Sequence, residues 1–482
     1  MTRNSIPAGM YWSPDDHRGS GWRAGMRAEV DGHGRIARLQ PVQAGTHFSR
    51  HASDRILVPG VANLHSHAFQ RAMAGMAERQ TRDRREAVAD SFWTWRETMY
   101  RFAARFTPDT LYAVAAQLYA EMLEAGYTTV CEFHYLHHAP DGRPYSDPAA
   151  MSQALVAAAR DTGIRMTLLP VLYMTAGFDG APLGERQRRF GHDVDAYLHL
   201  VDSLCEDVAS YGAVDGVHRG GTHHGMLHVG CAMHSLRAVP PDAMRAVLAA
   251  LPPAMPVHIH IAEQVAEVED CVAMRGARPV QWLLDNAAVD ARWTLVHATH
   301  LDAAETAGVA RSGATVAICP TTEANLGDGL FPLRDFLDAG GRWGIGSDSH
   351  ISVSPVEELR WLEYGQRLVT RRRNITVGAE TPSVGDALMR GVAASAASAS
   401  GHAIGLLAAG QAADAVVLDG AAAQLTGATV DDLLDRWIFS GNRNLVDEVY
   451  VAGRRVVDGG RHRDRDAIAT RYRDALAVLM RD

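Results

Sequence analysis

The strongest constraint in this chain is an alternation. Eight short apolar, β-branched runs recur, at residues 56–64, 128–134, 166–172, 227–234, 256–261, 294–297, 314–319 and 343–346. Longer segments with helical spacing of apolar residues lie between them, among them 110–125, 148–162, 241–251, 265–286 and 303–311. Strand–helix alternation repeated eight times predicts a (β/α)8 barrel, an α/β fold of the TIM type. Residues 68–126 are too many for one connecting helix, so extra helices are expected there. The flanks read differently. Residues 21–42 predict a strand pair around the turn Asp31-Gly32-His33-Gly34, and 413–418 and 448–457 predict further strands with a turn at Asp458-Gly459-Gly460. The expected organisation is a barrel over 56–400, interrupting a small β-sandwich built from 1–55 and 401–482.

Composition narrows the chemistry. The 482 residues contain no lysine, so all 47 basic residues are arginine. This excludes Schiff-base chemistry, a P-loop lysine and any metal pair bridged by a carbamylated lysine. It leaves carboxylate recognition open, because arginine grips carboxylates in a planar, two-point way. The formal net charge of −9 argues against a nucleic-acid partner. Cys131, Cys205, Cys231, Cys271 and Cys319 are odd in number and lack a CxxC pair, which predicts buried thiols in a reducing, cytoplasmic setting. No signal peptide is expected from residues 1–18, and no membrane span from the uncharged stretch 391–413, which glycines and His402 interrupt. The His- and Gly-rich segment 216–228 reads as a surface loop, and 81–90 as a solvated charged stretch.

In a barrel of this type, chemistry sits at the C-terminal ends of the strands. The first run ends in Asn63-Leu64-His65-Ser66-His67. Residues two apart on a strand face the same side, so His65 and His67 point together into the barrel mouth. The fifth run ends His260-Ile261-Ala262-Glu263, the sixth at His297, and the eighth leads to Asp348 and His350. Each alone reads as a hydrogen-bonded structural residue; four strand ends together point to a metal site. His134, His137, His138, His300 and His350 read as supporting histidines. Glu323 and Asn325 line the mouth or cap the next helix, and Cys319 packs.

These residues carry a resemblance. HxH after strand one, histidines at strands five and six and aspartate at strand eight resemble the amidohydrolase superfamily. With no lysine to bridge two ions, the resemblance implies its single-metal, deaminase-like subtype. The segments VANLHSHAFQRAMAGMAE (61–78), FWTWRETMYRF (92–102), AGYTTVCEFHYLHH (125–138), MHSLRAV (233–239), VHIHIAEQ (257–264), LVHATH (295–300), TTEANLGDGLFP (321–332) and GIGSDSHIS (344–352) are similar, within it, to the formimidoylglutamate deiminase family. Residues 81–90 and 208–228 look longer than that family's pattern.

The resemblance implies one divalent ion, Zn²⁺ or Fe²⁺, held by His65, His67, His260 and Asp348, with a water completing the site. It further implies that Asp348 takes the water's proton, His297 orients the resulting hydroxide and steadies developing negative charge, and Glu263 protonates the departing nitrogen. The implied reaction is hydrolysis of N-formimino-L-glutamate to N-formyl-L-glutamate and ammonia in histidine degradation, by a homodimer. By the same carry-over, Arg96, Arg237 and Tyr135 bind the two carboxylates, and Gln70 and His234 contact the rest of this small dicarboxylate. Two other readings stand beside it. A ring aminohydrolase acting on a purine, pyrimidine or triazine needs an aromatic-lined pocket without paired arginines. A catalytically silent binding relative would be free to lose part of the set His65, His67, His260, Glu263, His297 and Asp348.

Overall fold

The computed structural model describes residues 5–14, 21–42, 55–78, 92–218, 225–378 and 381–481. Eight parallel strands follow in barrel order: Val61–Ser66, Tyr127–His134, Arg165–Leu172, Cys231–Ser235, Val257–Ile261, Trp293–His297, Thr315–Ile318 and Arg342–Ile345. A short strand, Leu227–Val229, pairs beside the third. Most of these strands are buried along their whole length, as expected for parallel strands covered on both faces. The interval 68–126 does hold extra helices: a 3-10 turn Ala68–Met73, then Phe92–Ala103 and Pro108–Ala125. Residues 81–90 lie outside the described residues, as do 219–224 of the His-rich segment. The expected helix over 265–286 is two helices, Val265–Arg275 and Pro279–Asn286, because Gly276 takes a left-handed cap and Pro279 starts the second.

Both chain ends build a separate eight-stranded sheet. It includes Ser5–Trp12, Trp22–Val30, Ile36–Pro41 and Arg55–Pro59 from the first part, and Ala415–Asp419, Val446–Val451, Arg454–Asp458 and Arg461–His462 from the last. Its alternation explains how it sits. Tyr11, Leu57, Ala415 and Val417 point to its own small core, while Met10, Trp12, Ile56, Val58, Val416 and Leu418 join the barrel's core. The apolar run 56–64 is therefore two strands. Arg55–Pro59 pairs in the terminal sheet and Val61–Ser66 opens the barrel. Gly60 makes the crossing: a Cβ there would stand 2.1 Å from Thr128 Oγ1. Apolar residues on both faces of both strands hide this junction from pattern reading. A buried ion pair, Arg165 Nε to Asp414 Oδ2 at 2.8 Å and Nη2 to Oδ1 at 2.9 Å, ties barrel to sheet.

The barrel closes at its C-terminal mouth. Asp348 N–H donates to the His65 carbonyl at 3.0 Å, and His67 N–H donates to the Asp348 carbonyl at 3.2 Å. Below this seam, buried Asn63 accepts from Ser347 N–H at 3.0 Å and donates to Ser347 Oγ at 2.6 Å. Strand closure itself thus sets Asp348 between His65 and His67.

Candidate active site

The seam brings four ligand-type side chains to one point. His65 Nε2 lies 3.1 Å from His67 Nε2 and 2.9 Å from His260 Nε2. Asp348 Oδ1 is 3.6 Å from His65 Nε2 and 3.4 Å from His67 Nε2. Donors roughly 2.0–2.1 Å from a tetrahedral ion stand about 3.3 Å apart, so His65, His67 and His260 are spaced to hold one ion, with Asp348 beside the first two. The tautomers match as well. His67 Nδ1–H donates to the Phe133 carbonyl at 2.8 Å and His260 Nδ1–H to the His234 carbonyl at 2.9 Å. A carbonyl only accepts, so both rings carry the proton on Nδ1 and turn a bare Nε2 lone pair inward. Burial pushes His67 down to about 3 and holds His65 and His260 well below the ordinary imidazole range. Neutral imidazoles are the form that ligates a cation. Gly346 leaves the room for this, since a Cβ on it would come within 2.7 Å of His65 Cβ.

His297 stands beside the cluster with different electrostatics. Its Nδ1 lies 3.2 Å from Glu323 Oε1, and its Nε2 is 3.7 Å from both Glu263 Oε1 and Asp348 Oδ2. Burial alone would lower its pKa, but Glu263, Glu323 and Asp348 together raise it to about 10. The carboxylates around His297 favour its protonated form, a charge that complements an oxygen nucleophile and developing negative charge. Burial pushes Asp348 up to about 7, with His297 pulling it down and Glu263 and Glu323 pushing it further up. His297 and Asp348 both adopt left-handed backbone, at φ 67° and 45°. Such strain costs about 1–3 kcal/mol per residue and collects at functional sites.

A single cavity joins this cluster to the remaining residues singled out in the sequence. Gln70, Arg96, Tyr135, His234, Arg237, His260, Glu263, His297 and Asp348 all line it, with His67. Gln70 sits in the 3-10 turn after strand one and donates to Tyr135 Oη at 2.9 Å. Arg96 reaches in from the helix Phe92–Ala103, and Arg237 from the turn after strand four. Trp95, Tyr100, Tyr173 and Phe190 complete an aromatic wall. The aromatic lining that a ring substrate requires is therefore present, and so are the paired arginines that such a substrate does not need.

The structure gives the supporting residues definite partners, and Tyr173 and Tyr100 of the cavity escaped sequence reading. Glu323 does two jobs, capping the helix Pro320–Leu326 through Cys319 N–H at 2.8 Å and holding His297. Asn325 does not line that cavity and donates to Glu78 at 2.6 Å. His350 bridges Ser66 and Ser347 beneath the seam. Tyr173 follows directly on strand three, so applying the strand-end rule to every strand, and not only those ending in histidine or aspartate, finds it. Tyr100 lies four residues after Arg96 on one helix face, with the guanidinium 5.1 Å from its ring.

Residues 56–456 match the amidohydrolase family. The chain is 50% identical over 460 residues to formimidoylglutamate deiminase of Pseudomonas aeruginosa, covering 95% of this chain and 97% of that one. It is 28% identical over 456 residues to 8-oxoguanine deaminase of the same organism, covering 93% of each. A crystal structure of an amidohydrolase from Brucella melitensis superposes with a TM-score of 0.88 at 44% identity, covering 99% of this chain and 100% of that one.

Proposed function

This chain belongs to the amidohydrolase family, and from that premise we propose that it hydrolyses the formimino group of N-formimino-L-glutamate, giving N-formyl-L-glutamate and ammonia. One observation carries the choice of substrate. A single cavity is lined by His67, His260, Asp348 and Glu263 as well as by Arg96 and Arg237. A short dianion carrying an amidine can engage both sets of groups. The 50% identical Pseudomonas relative supports the same reading.

His65, His67, His260 and Asp348 would hold one divalent ion, with zinc the choice for three imidazoles and a carboxylate. When bound, such an ion supplies Lewis acidity and makes water a nucleophile near neutral pH. The chain's own residues do the rest. Arg96 and Arg237 grip the carboxylates, each charge-assisted contact contributing about 1.5–3 kcal/mol. Tyr135, held by Gln70, and His234 orient the rest of the substrate. Asp348 Oδ2 takes the attacking water's proton, and His297 steadies the oxygen while Glu323 fixes its ring. The oxygen adds to the formimino carbon while Glu263 protonates the imino nitrogen; Asp348 then passes the water's proton to the resulting amino group, the C–N bond breaks as the C–OH becomes C=O and returns its proton to Glu263, and ammonia leaves. The deimination falls in histidine degradation, and free thiols at Cys131, Cys205, Cys231, Cys271 and Cys319 suit the reducing cytoplasm.

Ammonia release from N-formimino-L-glutamate, measured beside guanine and 8-oxoguanine, tests the reading. Turnover of the linear amidine at least a hundredfold above the rings is the expected result. A preference for either ring would replace the proposal with the ring aminohydrolase.

A further inference from the structure

Tyr173 is nearly fully buried, at 2% exposure, and lines the cavity beside Arg237. Two donors meet that hydroxyl oxygen. Gln187 Nε2 lies 3.0 Å away and Arg237 Nη1 3.4 Å away. Neither can act otherwise. Gln187 Oε1 already accepts from Gly184 N–H at 3.0 Å, which turns its amide nitrogen to the phenol. A guanidinium has donors only. With both lone-pair positions of the phenol oxygen occupied, its O–H is left to donate, and among the described residues none accepts it. A buried donor without an acceptor is costly, so the arrangement calls for an acceptor in the cavity.

The same group touches both neighbours assigned to substrate. Its ring packs on His234 with centroids 4.4 Å apart, and Arg237 is anchored beside it by the Ala176 carbonyl at 3.1 Å. We propose that Tyr173 is a specificity residue: its hydroxyl donates to the same substrate carboxylate that Arg237 grips, and Gln187 keeps that proton aimed at the cavity. The inference rests on the dicarboxylate reading above and adds a neutral donor that checks carboxylate placement. A carboxylate accepts the proton; an amide or ammonium group at that position would turn an N–H against it.

The test uses the full chain and glutarate, a dicarboxylate that lacks the amidine and cannot react. Calorimetric titration of glutarate is compared between the wild-type protein and Tyr173→Phe, together with KM and kcat for N-formimino-L-glutamate. A charge-assisted bond lost from the bound state weakens glutarate roughly 10- to 150-fold. KM rises by the same factor, and the loss falls there and not on kcat. Gln187→Glu keeps the shape but places an acceptor against the phenol, so it captures the proton and weakens glutarate too; this variant stands in if Tyr173→Phe does not fold. Equal glutarate affinity in the folded variants overturns the inference, as does a loss confined to kcat. A wild-type protein that deiminates N-formimino-L-glutamate while Tyr173→Phe binds glutarate equally well sinks the inference alone. A wild-type protein that neither deiminates this substrate nor binds glutarate sinks the reading beneath it, and the inference with it.

Discussion

Replacing Glu263 by glutamine separates proton delivery from everything else in the site. The side chain is 17% exposed and its nearest cation is His297, 3.7 Å away. Its backbone N–H is held by Glu267 Oε2 at 3.0 Å, a bond that glutamine at 263 leaves untouched. The exchange therefore removes one titratable oxygen and little else. A positioned general acid contributes 10²- to 10⁴-fold, so kcat falls by that factor, or ~2.7–5.5 kcal/mol at 1.36 kcal/mol per decade. KM holds within roughly threefold, because the proposed carboxylate contacts are made by Arg96 and Arg237 and not by Glu263. The electrostatics move in a known direction too. Glu263 is the largest of the charges raising His297, so the histidine's pKa falls when that charge goes. Steady-state ammonia release across pH, with a thermal melt as a control for folding, reads all of this. A Glu263→Gln protein with kcat within tenfold of wild type refutes the shuttle. A large rise in KM at normal kcat would instead make Glu263 a binding group.

Three further outcomes are expected. Dialysis against dipicolinate should strip about one ion per chain and lower thermal stability, since an ion at a thousandfold its Kd stabilises by about 4 kcal/mol; zinc should restore it, and His260→Ala should purify without metal, whereas a protein whose melt ignores both chelator and zinc has no such site. Asp414→Ala leaves Arg165 charged and buried at the junction of barrel and sheet, and strips the acceptor from Ala452 N–H as well. It should cost about 3–5 kcal/mol in urea unfolding, and a cost below about 1 kcal/mol would mean that this pair does not tie the two parts together. Glu132 supplies a pH dependence. Burial raises it from 4.5 to about 7, with bonds from Ala68 N–H, Ser66 and Tyr119 pulling it partly back. The folded state then holds the proton that the unfolded state has lost. Stability therefore falls as pH rises from about 4.5 through 7, by up to ~3 kcal/mol at 1.36 kcal/mol per pH unit. Melting temperatures between pH 5 and pH 8 should fall less steeply in Glu132→Gln than in wild type, and parallel slopes would contradict the assignment.

The sequence alone determined whatever depends on local periodicity. A period of two places His65 and His67 on one face, and the recurrence of apolar runs places them at a strand end of a barrel. The absence of lysine limits the metal chemistry whatever the fold. Arg96 and Arg237 could be picked out of 47 arginines only through the motifs around them. Tertiary structure decided what depends on closure and packing between distant segments. Asp348 stands between two histidines some 280 residues away because the last strand hydrogen-bonds to the first at that point. Residues 56–64 divide between two sheets because Gly60 alone fits against Thr128, and apolar side chains on both faces give no sign of the break. Glu323 meets His297, and Tyr173 is left with an unclaimed proton, only because separate strand ends converge on one mouth. Local spacing tells which way a side chain faces; the distances that make ligands, acids and donors are set between segments that meet only when the barrel closes.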